Sequence, residues 1–161
     1  MLKELGAALD EMIHVQKRLI GFADEKQAVL IERRVDDLNV LVKEEAKLVK
    51  ELNAIETERE RITGILLLEH GASGFSEMVD GLTDELMKRK LQNQVSALQD
   101  LLIELQAKNK INERLLLDSM QFVQHMIDQV TKTKQQQFNY QSPIGQPKPQ
   151  TNSQGFFDTK A

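Results

Sequence analysis

Apolar residues recur along the first thirty residues at alternating intervals of three and four. Because 3.6 residues complete one turn of an α-helix, this spacing places them on one side of a helix. The pattern predicts a first helix over residues 2–32 with a single, mostly apolar seam. The seam positions are Leu2, Leu5, Leu9, Met12, Gln16, Leu19, Ala23 and Leu30.

The same pattern restarts after a short polar segment, residues 32–37. Asp36 or Asp37 is suited to cap a new helix, since a carboxylate accepts hydrogen bonds from the free amides of a first turn. A second helix is therefore predicted over residues 36–69, with lysines and glutamates on its exposed face. Its seam consists of Leu38, Leu41, Leu48, Leu52, Ile55, Ile62 and Leu66.

Glycines mark the clearest break in the chain, at residues 71–74. Residues 75–79 are predicted to form a short helical turn that ends at Gly81. A third helix is predicted over residues 82–134, with Asp80 or Thr83 as its cap. Its first seam consists of Leu91, Val95, Leu98, Leu102 and Leu105.

A second apolar zone lies in the last part of the third predicted helix. At 1.5 Å per residue the second helix measures roughly 50 Å and the third roughly 78 Å. The predicted fold is all-α, an elongated antiparallel three-helix bundle or coiled coil. Its third helix is long enough to extend beyond the ends of the other two helices. A second copy of the chain, a fold-back of the tail or a different protein has to cover this zone. Its residues are Leu115, Leu116, Leu117, Met120, Phe122, Val123, Met126, Ile127 and Val130.

The C-terminal segment differs in composition from the rest of the chain. Residues 135–161 contain all three prolines and many Gln, Asn, Ser and Thr residues, which predicts a flexible tail after a helical domain of residues 1–134. The tail nevertheless holds Tyr140 and the pair Phe156-Phe157. Apolar residues in such a setting are typical of short docking motifs, although they can also be neutral.

Charge and composition exclude several classes of partner. The formal net charge of −4 is spread over interleaved acidic and basic residues, so no basic block favours nucleic acid as a partner. Cysteine is absent, which fits a reducing compartment. We find no apolar segment of the ~20 residues that a membrane span requires and no signal peptide. These observations predict a cytoplasmic protein without membrane insertion.

The sequence offers little support for catalysis or metal binding. Glu11 and His14 have the Glu-x-x-His spacing of di-metal helical bundles, but the chain lacks the second copy of the motif that such sites require. Nucleotide-binding and nucleophile-elbow motifs are also absent. We therefore predict that the protein is not an enzyme, has no catalytic or metal-ligating residues and uses no cofactor.

Two sets of residues go beyond helical periodicity. The first is Leu30-Ile31 at the end of the first helix, Val35-Asp-Asp-Leu38 at the start of the second, and Ile55-Glu56 with Arg59 further along. The second is Asn139-Tyr140 and Gly145, followed by a tail that ends Phe157-Asp158-Thr-Lys160-Ala161. Together these residues resemble the FlgN family of flagellar export chaperones over nearly the whole chain.

The resemblance implies a chaperone that holds hook-associated proteins of the FlgK and FlgL type and presents them to the flagellar export gate and ATPase complex. It implies that cargo binds the apolar face of the last helix. It also implies that Tyr140, the only tyrosine, assists docking at the export gate. The expected cargo-binding residues are Leu115, Leu116, Met120, Val123, Met126, Ile127 and Val130.

A second hypothesis explains the same apolar zone without cargo. Two copies of the chain would pair through this face, giving a homodimeric structural coiled coil or adaptor with no role in export. The sequence alone leaves both hypotheses open.

Overall fold

The computed structural model of the chain describes residues 1–140, which form four helices joined by short turns. The helices are α1 (Leu2–Glu32), α2 (Val35–His70), α3 (Phe75–Asp80) and α4 (Glu85–Tyr140). The all-α fold built from long packed helices, predicted from the sequence, is confirmed. The chain divides into two units, Met1–Met120 and a second one that begins at Gln121, and α4 contributes residues to both.

The turn between α1 and α2 is tight and closes on the end of α1. Arg33 adopts the left-handed conformation, with φ of 57°. The amide of Arg34 donates a hydrogen bond of 3.1 Å to the carbonyl of Val29, which satisfies one free carbonyl of the last turn. No side chain caps the start of α2, so the predicted cap at Asp36 or Asp37 is wrong. Asp37 instead forms an ion pair of 2.7 Å with Arg34.

The segment between α2 and α4 contains a complete short helix rather than a single turn. Gly71 ends α2 with φ of 60°, a conformation that glycine adopts without steric cost. The carboxylate of Glu77 accepts hydrogen bonds from the backbone amide and the hydroxyl of Ser73, at 2.8 and 2.5 Å. These bonds fix the start of α3, which buries Met78 and Val79.

The first turn of α4 is capped by Asp84. Its Oδ1 accepts hydrogen bonds of 3.0 Å from the amide of Leu86 and 3.1 Å from the amide of Met87. These are the second and third amides of the helix, the pair that an N-cap side chain normally reaches. The predicted caps, Asp80 and Thr83, are therefore wrong, and α4 begins three residues after the predicted start at residue 82.

Three helices pack side by side in the first unit. Ion pairs join Arg18 to Glu51 and Lys26 to Glu45, so α1 and α2 run antiparallel. Side chains of α1 and α2 form two apolar clusters with residues of α3 and α4. One consists of Leu5, Leu9, Ile62, Leu66, Met78, Val79, Leu82 and Leu91, and the other centres on Val15, Leu19 and Leu48.

The seam of α4 differs from the prediction at one position. Leu91 is buried, and Leu98 and Leu105 pack against the two clusters as predicted. Leu102 is exposed, however, and Leu101 is half-buried in its place. A step of four residues from Leu98 reaches Leu102 and a step of three reaches Leu101, and both routes then continue to Leu105. Periodicity allows both, and only the packing of the helices decides between them.

The end of α4 lies beyond the predicted position. The helix continues past residue 134 to Tyr140. Residues 135–140 contain no proline or glycine, and glutamine supports helix nearly as well as lysine or glutamate. Residues 141–161, including Phe156-Phe157, lie outside the described part of the chain, so the flexible tail stays a prediction.

Candidate functional site

The contacts between α1 and α4 define how far the packed core extends along α4. Near the start, the side-chain amide of Gln94 donates hydrogen bonds to the carbonyl of Gly6 at 2.8 Å and to the carboxylate of Asp10 at 2.6 Å. Near the other end, Asn112 donates a hydrogen bond of 2.8 Å to the carbonyl of Ala23. Residue numbers rise together in both helices, so α1 and α4 run parallel.

These polar contacts also set the charge state of Asp10. The hydrogen bond from Gln94, with a smaller contribution from the nearby ammonium of Lys90, lowers the pKa of the Asp10 carboxyl below its ordinary value. The Nζ of Lys90 lies 3.3 Å from the carboxylate. Asp10 is therefore a charged partner that holds α4 in register with α1.

Burial along α4 stops at Asn112. None of the described side chains from residue 113 to residue 138 is buried. Within the first unit, Leu115 is half-buried, Leu116 is exposed and Met120 retains 60% of its accessible surface. Leu116 and Met120 are four residues apart and so lie on the same side of the helix.

The second unit presents a continuous apolar surface of its own. Val123 retains 52% of its accessible surface and Val130 54%, Met126 is exposed and Ile127 is half-buried. Steps of three or four residues connect these positions, so they share one side of the helix. Together with Thr131 they line a shallow open groove of about 370 Å³.

Two residues of this surface were missing from the cargo-binding set expected from the sequence. Thr131 lines the groove and lies four residues after Ile127. Phe138 is exposed and lies eleven residues after Ile127, three helical turns along the same side. The periodicity would have identified Phe138 if the helix had been predicted to continue past residue 134.

The other residues singled out from the sequence are Tyr140, Glu11 and His14. Tyr140 is the last residue of α4, and its side chain lies outside the described residues. Glu11 and His14 line a shallow groove between α1 and α2 with Glu51 and Ile55. Within residues 1–140, no three His, Cys, Asp or Glu side chains are grouped as metal ligands. No helix in the same range is both long and apolar enough to cross a lipid bilayer.

Taken together, these features define an all-helical protein with an exposed apolar helix face, the kind of surface to which an amphipathic helix of another protein can bind. The FlgN protein family model matches residues 1–148 of the chain. The chain therefore belongs to the FlgN family, a family of flagellar export chaperones, which confirms the resemblance identified from the sequence. The chain has no significant match among curated proteins or solved structures.

Proposed function

We propose that the protein is a cytoplasmic chaperone that binds the C-terminal helical segment of hook-associated proteins and delivers them to the flagellar type III export apparatus. Family membership supports the export-chaperone role. The exposed apolar side of α4 in the second unit is the observation that carries the assignment of the cargo surface. The proposed cargo-binding residues are Leu115, Leu116, Met120, Val123, Met126, Ile127 and Val130.

The chemistry of this face suits an amphipathic helix as its ligand. Fully burying a large aliphatic side chain contributes about 1.5–3 kcal/mol, so covering side chains that are half exposed gives about 1 kcal/mol each. Two of the exposed side chains in this set, Met120 and Met126, are methionines. Their flexible thioethers adapt to different apolar partners, which fits a chaperone with more than one cargo.

Binding also explains how the chaperone would act on its cargo. A helix laid against α4 hides its own apolar side from other copies of the cargo. We expect this masking to keep the bound segment from assembling before it is exported. No nucleotide is needed for this masking, because burial of apolar surface drives it.

A binding measurement on substituted chains tests the cargo surface. Leu116, Val123 and Ile127 are replaced together by aspartate, and binding of the FlgK-type or FlgL-type C-terminal segment is measured by titration calorimetry. We expect binding to be lost while circular dichroism stays helical, since Leu116 and Val123 are exposed and Ile127 is half-buried in the free protein. Unchanged affinity would show that cargo binds elsewhere.

Leu117 supplies the matched control for this experiment. It is exposed like Leu116 but lies about 100° further around the helix. Leu117→Asp is compared with Leu116→Asp alone, because each adds one negative charge to the same helix and only Leu116 belongs to the proposed face. We expect Leu117→Asp to leave cargo affinity nearly unchanged.

A homodimer formed through the same face is the second candidate function. The spacing of Val123, Met126, Ile127 and Val130 by three or four residues also suits a coiled-coil seam between two copies. Sedimentation distinguishes the candidates. A dimer that persists at micromolar concentration and does not bind cargo supports the structural role, whereas a monomer that forms a one-to-one complex supports the chaperone.

Tyr140 is proposed to contact the export gate rather than the cargo. The proposal rests on family resemblance and on the position of the residue at the end of α4, ten residues after Val130. We expect Tyr140→Ala to retain cargo affinity and to reduce secretion of hook-associated proteins in cells. Loss of cargo affinity in this variant would instead place Tyr140 within the cargo site.

A further inference from the structure

The second helix carries two seams, and only one of them packs against other helices of the described residues 1–140. The first seam recurs every seven residues at Leu41, Leu48, Ile55 and Ile62 and lies towards the apolar clusters. The second seam begins at Val35 and recurs, again every seven residues, at Val42 and Val49. Heptad repetition of apolar residues is the pattern of a helix that contacts a neighbouring helix along its length.

The second seam is exposed over its whole length. Val35 retains 65% of its accessible surface, Val42 50% and Val49 39%. The positions between them on the same side of the helix are exposed as well, namely Asn39, Ala46 and Asn53. The six residues follow one another at steps of four and three, so they form a continuous stripe.

The side chains of this stripe suit close contact with a second helix. Valine is stiff because it is branched at Cβ, so little rotamer entropy is lost when it is covered. Ala46, in the middle of the stripe, is small enough to let another helix approach closely. Asn39 and Asn53 provide amides that can hydrogen-bond to polar groups of a partner. We call the six residues the valine face of α2.

The charges along the two edges of the valine face indicate what kind of helix fits it. One edge of the face, which we call the outer edge, carries Lys43 and Lys50, which are both exposed and lie one heptad apart. Asp36 lies a heptad before Lys43 on the same edge. On the inner edge Glu45 is already paired with Lys26 of α1 at 2.6 Å. A helix that approaches the middle of the face therefore meets two positive charges, with no acidic residue of α2 between them on that edge.

We propose that the valine face of α2 binds an amphipathic helix of another protein, one whose apolar seam is flanked by acidic residues. Acidic side chains opposite Lys43 and Lys50 complement the outer edge and disfavour partners with basic flanks. A second copy of this chain brings the same two lysines to the contact, which makes it a poorer occupant. The proposal goes beyond the chaperone function assigned to α4 and does not depend on it, since the two surfaces share no residue.

Two synthetic peptides test the proposal on the full-length protein. Both are four heptads long and share one isoleucine and leucine seam, but one has glutamates and the other lysines beside that seam. Fluorescence anisotropy measures their affinities. We expect the glutamate peptide to bind at least about tenfold more tightly than the lysine peptide. We expect the double variant Lys43→Glu with Lys50→Glu to reverse that preference.

Substitutions within α2 and α4 separate the valine face from other surfaces. Val42→Asp is expected to weaken binding of the glutamate peptide by about tenfold or more. Val40→Asp is the matched control, because Val40 is also exposed but lies about 200° away around the helix. Val123→Asp is expected to leave this peptide unaffected, so failure of the proposed cargo surface and failure of this proposal give different results.

Three outcomes overturn the proposal. Equal affinity for both peptides removes the charge selectivity. Equal effects of Val40→Asp and Val42→Asp remove the valine face as the site. Sedimentation of the unmodified protein as a dimer that Val42→Asp dissociates identifies a second copy as the occupant instead.

Discussion

The side-chain amide of Asn112 donates a hydrogen bond of 2.8 Å to the backbone carbonyl of Ala23, and Asn112 is the last buried residue in the described part of α4. The adjacent turn adds an ion pair between Lys108 and Asp24. This pair of contacts marks where the intramolecular packing of α4 against α1 ends. Residues of α4 that follow it keep apolar side chains available for a partner.

Asn112 is expected to contribute to stability through this bond. Asn112→Ala should lower the free energy of unfolding by about 1–2 kcal/mol, since a buried hydrogen bond and some packing are lost. Chemical denaturation followed by circular dichroism measures the change. Asn109→Ala serves as the control, because Asn109 lies one turn away and is exposed. Equal effects of the two substitutions would contradict a specific role for the Asn112–Ala23 bond.

Arg33 is expected to destabilise the turn between α1 and α2. Its φ of 57° is a conformation that costs a residue with a side chain about 1 kcal/mol and costs glycine almost nothing. Arg33→Gly should therefore raise the melting temperature. Arg34→Gly should lower it, because Arg34 has φ of −86° and forms ion pairs with Glu32 and Asp37. A lower melting temperature for Arg33→Gly would mean that contacts of the Arg33 side chain outweigh its backbone strain.

Asp10 is expected to make stability depend on pH in the acidic range. The Gln94 hydrogen bond and Lys90 lower the folded-state pKa of its carboxyl, so the unfolded chain takes up this proton first as pH falls. The stabilising contribution is complete above the ordinary pKa near 4 and is lost as pH falls through the lowered pKa. Because Asp10 is largely exposed, we expect this contribution to stay below about 1 kcal/mol.

Comparing variants across pH tests this expectation. Asp10→Asn should be slightly less stable than the unmodified chain at pH 7 and equally stable near pH 2. Asp100→Asn removes the same charge from an exposed position of α4 and provides the control. A stability difference for Asp10→Asn that is the same at both pH values would show that the carboxylate does not carry the effect.

Periodicity predicted the long helices well because each seam extends over many turns, so an error at one residue changes little. Features decided by a single residue were harder to predict from the sequence. Asp84 rather than Thr83 caps α4, since only its carboxylate is placed to reach the amides of Leu86 and Met87. Leu101 rather than Leu102 faces the core, because the packing of α4 against the other helices selects between two steps that the sequence allows equally.

The valine face of α2 has a pattern that is visible in the sequence, but whether it is buried is not. The sequence contains its heptad spacing, but a seam read from sequence does not tell whether the chain itself covers it. Burial in the structure separates the two seams of α2, as the buried Leu48 and the exposed Val42 illustrate. The same reasoning identified the apolar side of α4, where the predicted length of the helix indicated a surface without an intramolecular partner.

Site-specific photo-crosslinking reports directly on whether cargo binds the apolar side of α4. A photo-reactive amino acid is placed either at Val123, on the proposed face, or at His125, which lies about 200° further around the helix. Both positions are exposed in the free protein. We expect efficient crosslinking from position 123 to the C-terminal segment of a hook-associated protein, and little from position 125. Equal crosslinking from both positions, or none from position 123 in a complex that still forms, would contradict this expectation.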